Sequence, residues 1–222
     1  MMKKLTLSLS AMILLGTVCS AQYINWNSLN PEKRNSVSMN LGYDYGLTLG
    51  AGYNRSLNLW KPVLLGIEFS APMGDQLFDD YKIRIGGEID LLKINDFHFS
   101  AKAKGIVRRY QSENLRIENF GSDFGLTAGY YRSMWYLAVE TGFDKAITSY
   151  LEHSDRFKDN YPQSQDGWYL PTGGQFYYGL STGFSLKKVV DINLKLGVTN
   201  AQGKHVNALL PYYLQLGLSR QF

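Results

Sequence analysis

A chain of 222 residues, 45% hydrophobic and 14% aromatic, is long enough for a single barrel, and no apolar run reaches the roughly 20 residues of a membrane-spanning helix. The formal charge of +4 is made of basic residues interspersed with acids, which excludes a nucleic-acid-binding stripe. Mean hydropathy is negative at −0.22 although nearly half the chain is apolar, and a strand protein with one oily and one polar face reconciles the two figures.

The chain begins with a basic head, Met1 to Lys4, an apolar run over residues 5–15 and a small-residue exit, Cys19, Ser20 and Ala21. This pattern predicts a secretory signal peptide over residues 1–21, cut after Ala21. Loss of Lys3 and Lys4 leaves 21 basic against 19 acidic residues, a mature charge of +2. The sole cysteine, Cys19, falls within the predicted signal, so the mature chain is expected to have no disulfide. Lipidation of Cys19 is the alternative, and Val18 before it is larger than such signals usually carry. Residues 22–35, with Trp26 and Pro31, read as a periplasmic segment tucked against a barrel rim; insertion into the lumen as a plug is the second option.

From residue 36 onward a period of two dominates. Val37, Met39, Leu41 and Tyr43 share one face against Ser36, Ser38, Asn40 and Gly42, and the same alternation recurs over residues 47–55, 63–69, 81–91, 97–107, 120–130, 135–143, 176–184, 190–198 and 210–222. Ten such segments, each near the 9 to 11 residues that a tilted strand needs to cross a bilayer, predict a transmembrane antiparallel up-and-down β-barrel over residues 36–222. The links at 58–62, 93–96, 132–133 and 187–188 are short, as periplasmic turns should be. Those at 72–80, 110–119, 145–174 and 200–209 are long, as outer loops should be. Outward aromatics fall at the two ends of the strands, the arrangement expected of two interfacial girdles. Outward Arg55, Arg109 and Arg220 sit near strand ends, where their heads reach lipid phosphate.

The last segment, with Leu214, Leu216, Leu218 and terminal Phe222 on its oily face, resembles the closing strand of bacterial outer-membrane barrels. In those proteins the terminal aromatic forms part of the signal read by the insertion machinery, the role the resemblance implies for Phe222. Together with the texture of Leu41-Gly42-Tyr43 and Leu49-Gly50-Ala51-Gly52-Tyr53, the chain resembles the small outer-membrane β-barrel proteins abundant in Bacteroidota. The resemblance implies a cell outer membrane location, contact with outer-membrane lipid and lipopolysaccharide, and a monomer, without implying an activity.

Inward positions carry Glu68, then Lys82, Arg84, Glu88 and Asp90, then Lys102, Lys104 and Arg108, followed by Asp123, Glu140, Asp144, Asp191 and Lys195. Isolated buried charges are costly, so these side chains are expected to pair across strands or remain hydrated. A basic group of Lys82, Arg84, Lys104 and Arg108 beside an acidic group of Asp123, Glu140 and Asp144 fits either a salt-bridge plug or a transverse field across a narrow pore. The plug is preferred because ten strands leave little spare width; a channel for small solutes or ions and a ligand pocket are the alternatives.

The loop over residues 145–174 offers His153, Asp155, Trp168 and Tyr169 as interaction residues. The aromatics are expected to cap the barrel mouth or to meet a target such as an envelope protein partner. An omptin-like hydrolase would place Asp75, Asp79 or Asp80 opposite the His153-Ser154-Asp155 run. The reversed order of His and Asp and the shortness of the chain weigh against it, and a non-enzymatic barrel is expected. His98 and His205 lack neighbours at metal-ligand spacing and no phosphate-cradling motif occurs, so no metal or cofactor is predicted. The functional expectation is a structural or interaction component with an occluded lumen.

Overall fold

The computed structural model describes residues 25–44, 46–73, 79–170, 173–202 and 211–222; the predicted signal, Cys19, Asp75 and His205 lie outside the described residues. After a short 3-10 turn at Trp26–Ser28 come β1 (Asn35–Tyr43), β2 (Leu47–Asn58), β3 (Pro62–Pro72), β4 (Tyr81–Ile94) and β5 (Phe97–Gln111). Next are β6 (Leu115–Tyr131), β7 (Trp135–His153), helix α1 (Asp155–Asn160), β8 (Gly167–Tyr169), β9 (Gly174–Leu186), β10 (Val190–Ala201) and β11 (Tyr212–Gln221). Ten strands pair antiparallel with their neighbours, β6 pairs β7, and β1 pairs β11, so the sheet closes on itself. Among the described strands only β8 stands outside the ring, added to the outer part of β7.

The burial pattern is inverted relative to a water-soluble domain. Lys82, Asp90, His98, Lys104, Asp123, Glu140, Asp191 and Lys195 are buried, whereas Leu41, Leu65, Ile85, Leu137, Val139 and Leu216 are exposed. Alternation on a closed sheet sends one set into the lumen and the other outward, and a continuous apolar exterior is stable only in lipid. The chain is therefore an integral outer-membrane β-barrel. No helix among the described residues is long and apolar enough to cross a membrane, as this architecture requires none.

Both ends of the barrel wall, Asn35 and Phe222, lie together, joined by Phe222 N–H to Asn35 O at 2.9 Å. The short β2–β3, β4–β5, β6–β7 and β9–β10 turns share that end, which is the periplasmic one by the usual orientation of such barrels. Outward aromatics cluster at both rims. Phe97 and Tyr130 lie 5.0 Å apart and Tyr130 and Trp135 5.7 Å apart at the periplasmic end, with Phe143 and Phe176 at 4.5 Å toward the other. The β9–β10 turn places Lys187 and Lys188 at φ of 52° and 53°, the primed geometry that matches strand twist, on residues that do not usually supply it.

Two expected loops contain strand. Residues 110–119 are the paired ends of β5 and β6 around a tight link, and residues 145–153 continue β7. The predicted periodicity stopped short because Arg116, Glu118 and Glu152 occupy outward positions where the pattern calls for apolar groups. Strands of 17 and 19 residues exceed what a bilayer needs, so β6 and β7 rise above it as a tower.

Candidate functional site: a charge-filled lumen

The inward parity of β4 and β5 delivers the cations, and their partners come from the neighbouring strands β3 and β6 as well as from β7 and the β1–β2 link farther round the ring. Lys82 Nζ lies 3.2 Å from Asp144 on β7 and 3.5 Å from Asp44 in the β1–β2 link. Arg84 reaches Asp44 at 3.0 Å and Glu68 at 3.8 Å, and Lys104 reaches Glu68 at 3.0 Å. Arg108 meets Asp144 at 2.9 Å, Lys102 meets Asp123 at 3.6 Å, and Lys195 pairs with Glu140. The Lys82–Asp144 and Arg84–Asp44 pairs run as chords through the lumen rather than along its wall.

The expected basic and acidic groups thus meet directly. Asp144 joins Lys82 and Arg108, while Glu68 and Asp44 interleave with the cations, so no open transverse field separates two walls. Asp44 was absent from the sequence-derived set because its position reads as a turn. Tyr177 and Tyr213 were missed as well: their hydroxyls donate to Asp123 at 2.8 Å and Glu140 at 2.7 Å, and Lys102 sits 4.9 Å from the Tyr177 ring. The signal that could have found them is inward parity facing glycines. Tyr177 lies over Gly125 and Gly142, and Tyr213 over Gly179 and Gly197, where a Cβ would collide with the phenol.

Glu88 accepts from Ser100 Oγ at 2.5 Å. Asp191 accepts from Ser28 Oγ, Ser219 Oγ and Gln221 Nε2 at 3.4 to 3.5 Å. Among the described residues a chamber of about 100 Å³ runs from Asp44, Asp144 and Gln175 to Tyr131 and Tyr136. At roughly 10 to 15 Å³ of such space per water it holds a handful of waters.

Below that chamber the N-terminal segment enters the barrel. Asn25 and Ser28 are fully buried, and Trp26 packs with Leu29, Leu64, Tyr131, Tyr136 and Ala138. Asn25 Nδ2 donates to Arg132 O at 2.7 Å and Ser185 Oγ at 3.0 Å; Asn27 Nδ2 donates to Tyr131 O at 2.5 Å. Lys93 Nζ and the His98 ring both approach Asn27 Oδ1, at 2.7 and 3.2 Å. Gln221 closes the set, donating to Ser28 O at 3.4 Å and accepting from Asn30 N–H at 3.1 Å. The segment therefore lies within the lumen's end, deeper than the rim position that the sequence favoured.

At the outer end His153 pairs with Asp166 at 3.0 Å, and Asp155 belongs to the first turn of α1, capped by Ser154. Asp80 accepts from Gln111 N–H at 2.9 Å. Among the described residues, His153 and Asp80 thus take partners other than those of an omptin-like pairing. Trp168 lies on the outer face of the tower, 5.8 Å from Phe120 and 5.3 Å from Tyr150, while Tyr169 falls on the opposite face and donates to Gln165 O at 2.8 Å. Trp168 accordingly flanks the mouth and does not cap it.

Fold and lumen together define an outer-membrane barrel with a charge-filled interior. No protein-family model and no curated protein matches the chain. Among solved structures it resembles the KdgM porin in complex with disordered oligogalacturonate, at 9% identity and a TM-score of 0.41 over 84% of this chain and 99% of that one. A second KdgM porin structure gives 8% identity and 0.39 over the same shares, and a triple mutant of Rh. blastica porin 9% and 0.20 over 85% and 98%. Likenesses this distant carry no argument about solute or activity.

Proposed function

We propose that this is a monomeric, non-enzymatic barrel of the Bacteroidota kind that its Gly-Tyr texture resembles, with a sealed lumen, serving as an interaction component of the cell envelope through its outer tower. The crossing ion pairs, which line a chamber of about 100 Å³ above the buried N-terminal segment, carry this proposal. Paired and hydrogen-bonded as they are, these charges tie opposite sides of the cylinder together. The tower presents Trp168, Tyr150 and the α1 turn beyond the lipid, where an envelope protein or lipopolysaccharide would be met. Purified protein in a planar bilayer is expected to give no steady unitary current. A steady current whose ion selectivity changes in Arg108→Glu would replace the sealed barrel with a narrow channel. That second proposal is favoured by the continuity of the chamber from Asp44 and Gln175 down to the Tyr131–Tyr136 floor.

A further inference from the structure

The lumen cations described above, and Arg116 on the tower, have acid partners within the protein. The outside of the periplasmic end is different. Arg34, Arg55, Lys187, Lys188 and Arg220 are all exposed there, and none of them makes an ion pair among the described residues. The pair that does form at this end, Arg132 with Asp96 at 3.1 Å, joins the β4–β5 and β6–β7 turns on the other side of the ring.

The unpaired cations form one arc. Arg55 on β2 faces Asn35 on β1, and Arg220 on β11 faces Val37 on β1 and Val190 on β10. At the usual strand spacing β2 and β11 run roughly 10 Å apart across β1. Arg34 lies beside them, because its carbonyl accepts from Ser56 N–H on β2 at 2.7 Å. The Lys187–Lys188 turn adjoins β11 through Gln221 N–H to Val189 O, also at 2.7 Å. Few anions stand against this arc. Glu32 and the Phe222 carboxylate are nearby, whereas Asp191 is buried on the lumen side, where it accepts from Ser28, Ser219 and Gln221.

Like charges on one arc repel one another, and each loses hydration where it approaches hydrocarbon. Arg55 and Arg220 share the lipid-facing side of the wall with Tyr53, Leu218 and Phe222, which are exposed at 41%, 39% and 53%. A partner confined to the periplasm cannot reach those guanidiniums without displacing lipid, whereas headgroup phosphate already lies at that depth. In a zwitterionic lipid the phosphate is offset by its own ammonium; in an anionic one it is not. We infer that the arc is a binding surface for anionic phospholipid of the membrane's periplasmic leaflet. Arg55 and Arg220 hold headgroup phosphates, and Arg34, Lys187 and Lys188 supply the positive field below them. The surface is separate from the tower, and it goes beyond the sealed-lumen proposal without resting on it.

Purified barrel reconstituted in bilayers of equal parts phosphatidylcholine and phosphatidylglycerol tests this, by measuring how much of each lipid stays with the protein on extraction in mild detergent. At low salt phosphatidylglycerol should be enriched roughly fivefold over phosphatidylcholine. The preference should fade at about 1 M salt, where the Debye length is about 3 Å. The double variant Arg55→Gln and Arg220→Gln should remove most of it. Lys187→Asn with Lys188→Asn, a residue type that tolerates the positive φ of this turn, should lower it about twofold. Arg156→Gln with Lys158→Gln takes the same charge from the tower and should leave the preference unchanged. Heat-dependent gel mobility reports that each variant is folded. If the arginine variant is not, the lysine pair combined with Arg34→Gln, all outside the strands, takes its place. Equal retention of the two lipids by the wild type, or an equal loss in the tower variant, overturns the inference. Polyglutamate that binds the reconstituted barrel through the arc, with no lipid preference, overturns it in favour of an acidic periplasmic partner. None of these readouts depends on whether the lumen conducts.

Discussion

Gly142 and Gly179 show how this lumen is filled: each makes room for a tyrosine ring that carries a hydroxyl to a buried carboxylate. Placing a large side chain at Gly142 moves Tyr177 off Asp123. Gly142→Leu should therefore destabilise the barrel by about 1 to 3 kcal/mol, read as a lower denaturant midpoint in detergent. Outside the membrane, the Lys158 hydrogen bond at 2.6 Å, then the His153 backbone and ring, hold the Asp166 carboxyl well below the usual carboxylate range. A depressed carboxylate contributes its clamp fully above its unfolded value of about 4 and loses it as acid protonates the folded form. Asp166→Ala should accordingly speed trypsin cleavage after Arg156 or Lys158 by roughly threefold or more near neutral pH, and the difference from wild type should vanish in strong acid with an acid-active protease. The inward charges were legible from parity alone. Several of their partners were not, because chords such as Lys82–Asp144 join residues that no local pattern relates.

At the scale of elements, the strands were legible wherever lipid imposes alternation, and illegible where β6 and β7 leave it. Above the bilayer outward positions are free to be charged: Arg116 pairs with Glu118, and with Glu152 at 3.6 Å, and so the oily face disappears while the ladder continues. The inward pair Asn119 and Ser149, at 2.8 Å, continues the polar face at the same level. Because the tower is an outgrowth of two wall strands, its tip should be removable without harm to the wall. Replacing residues 155–166 with a short Gly-Ser linker is expected to leave insertion and heat-dependent gel mobility unchanged, while abolishing co-purification of any envelope partner from native membranes. Co-purification that persists would move the interaction surface away from the tip, to Trp168 and Tyr150 or to another part of the barrel.

For the whole molecule, an oily exterior around a polar interior settles location, and the alternating sequence carried that information in full. It did not settle how the interior closes. Trp26 and Pro31 lie outside any periodic segment, and nothing local distinguishes a tail that drapes the rim from one that enters it. The cluster of Trp26 with Leu64, Tyr131, Tyr136 and Ala138 forms only once strands from opposite parts of the chain stand side by side.

The ring topology means that each wall strand is gripped along both edges. β7 and β9, which flank the long outer loop, share eleven residue pairs, and β1 and β11 share eight. Severing the backbone in that loop would yield two polypeptides but one object: the pieces remain riveted along two seams, and neither has a soluble form to escape into. Such a nicked barrel should run as a single species before heating and as two after it, and separately expressed halves divided there could reassemble as a split protein.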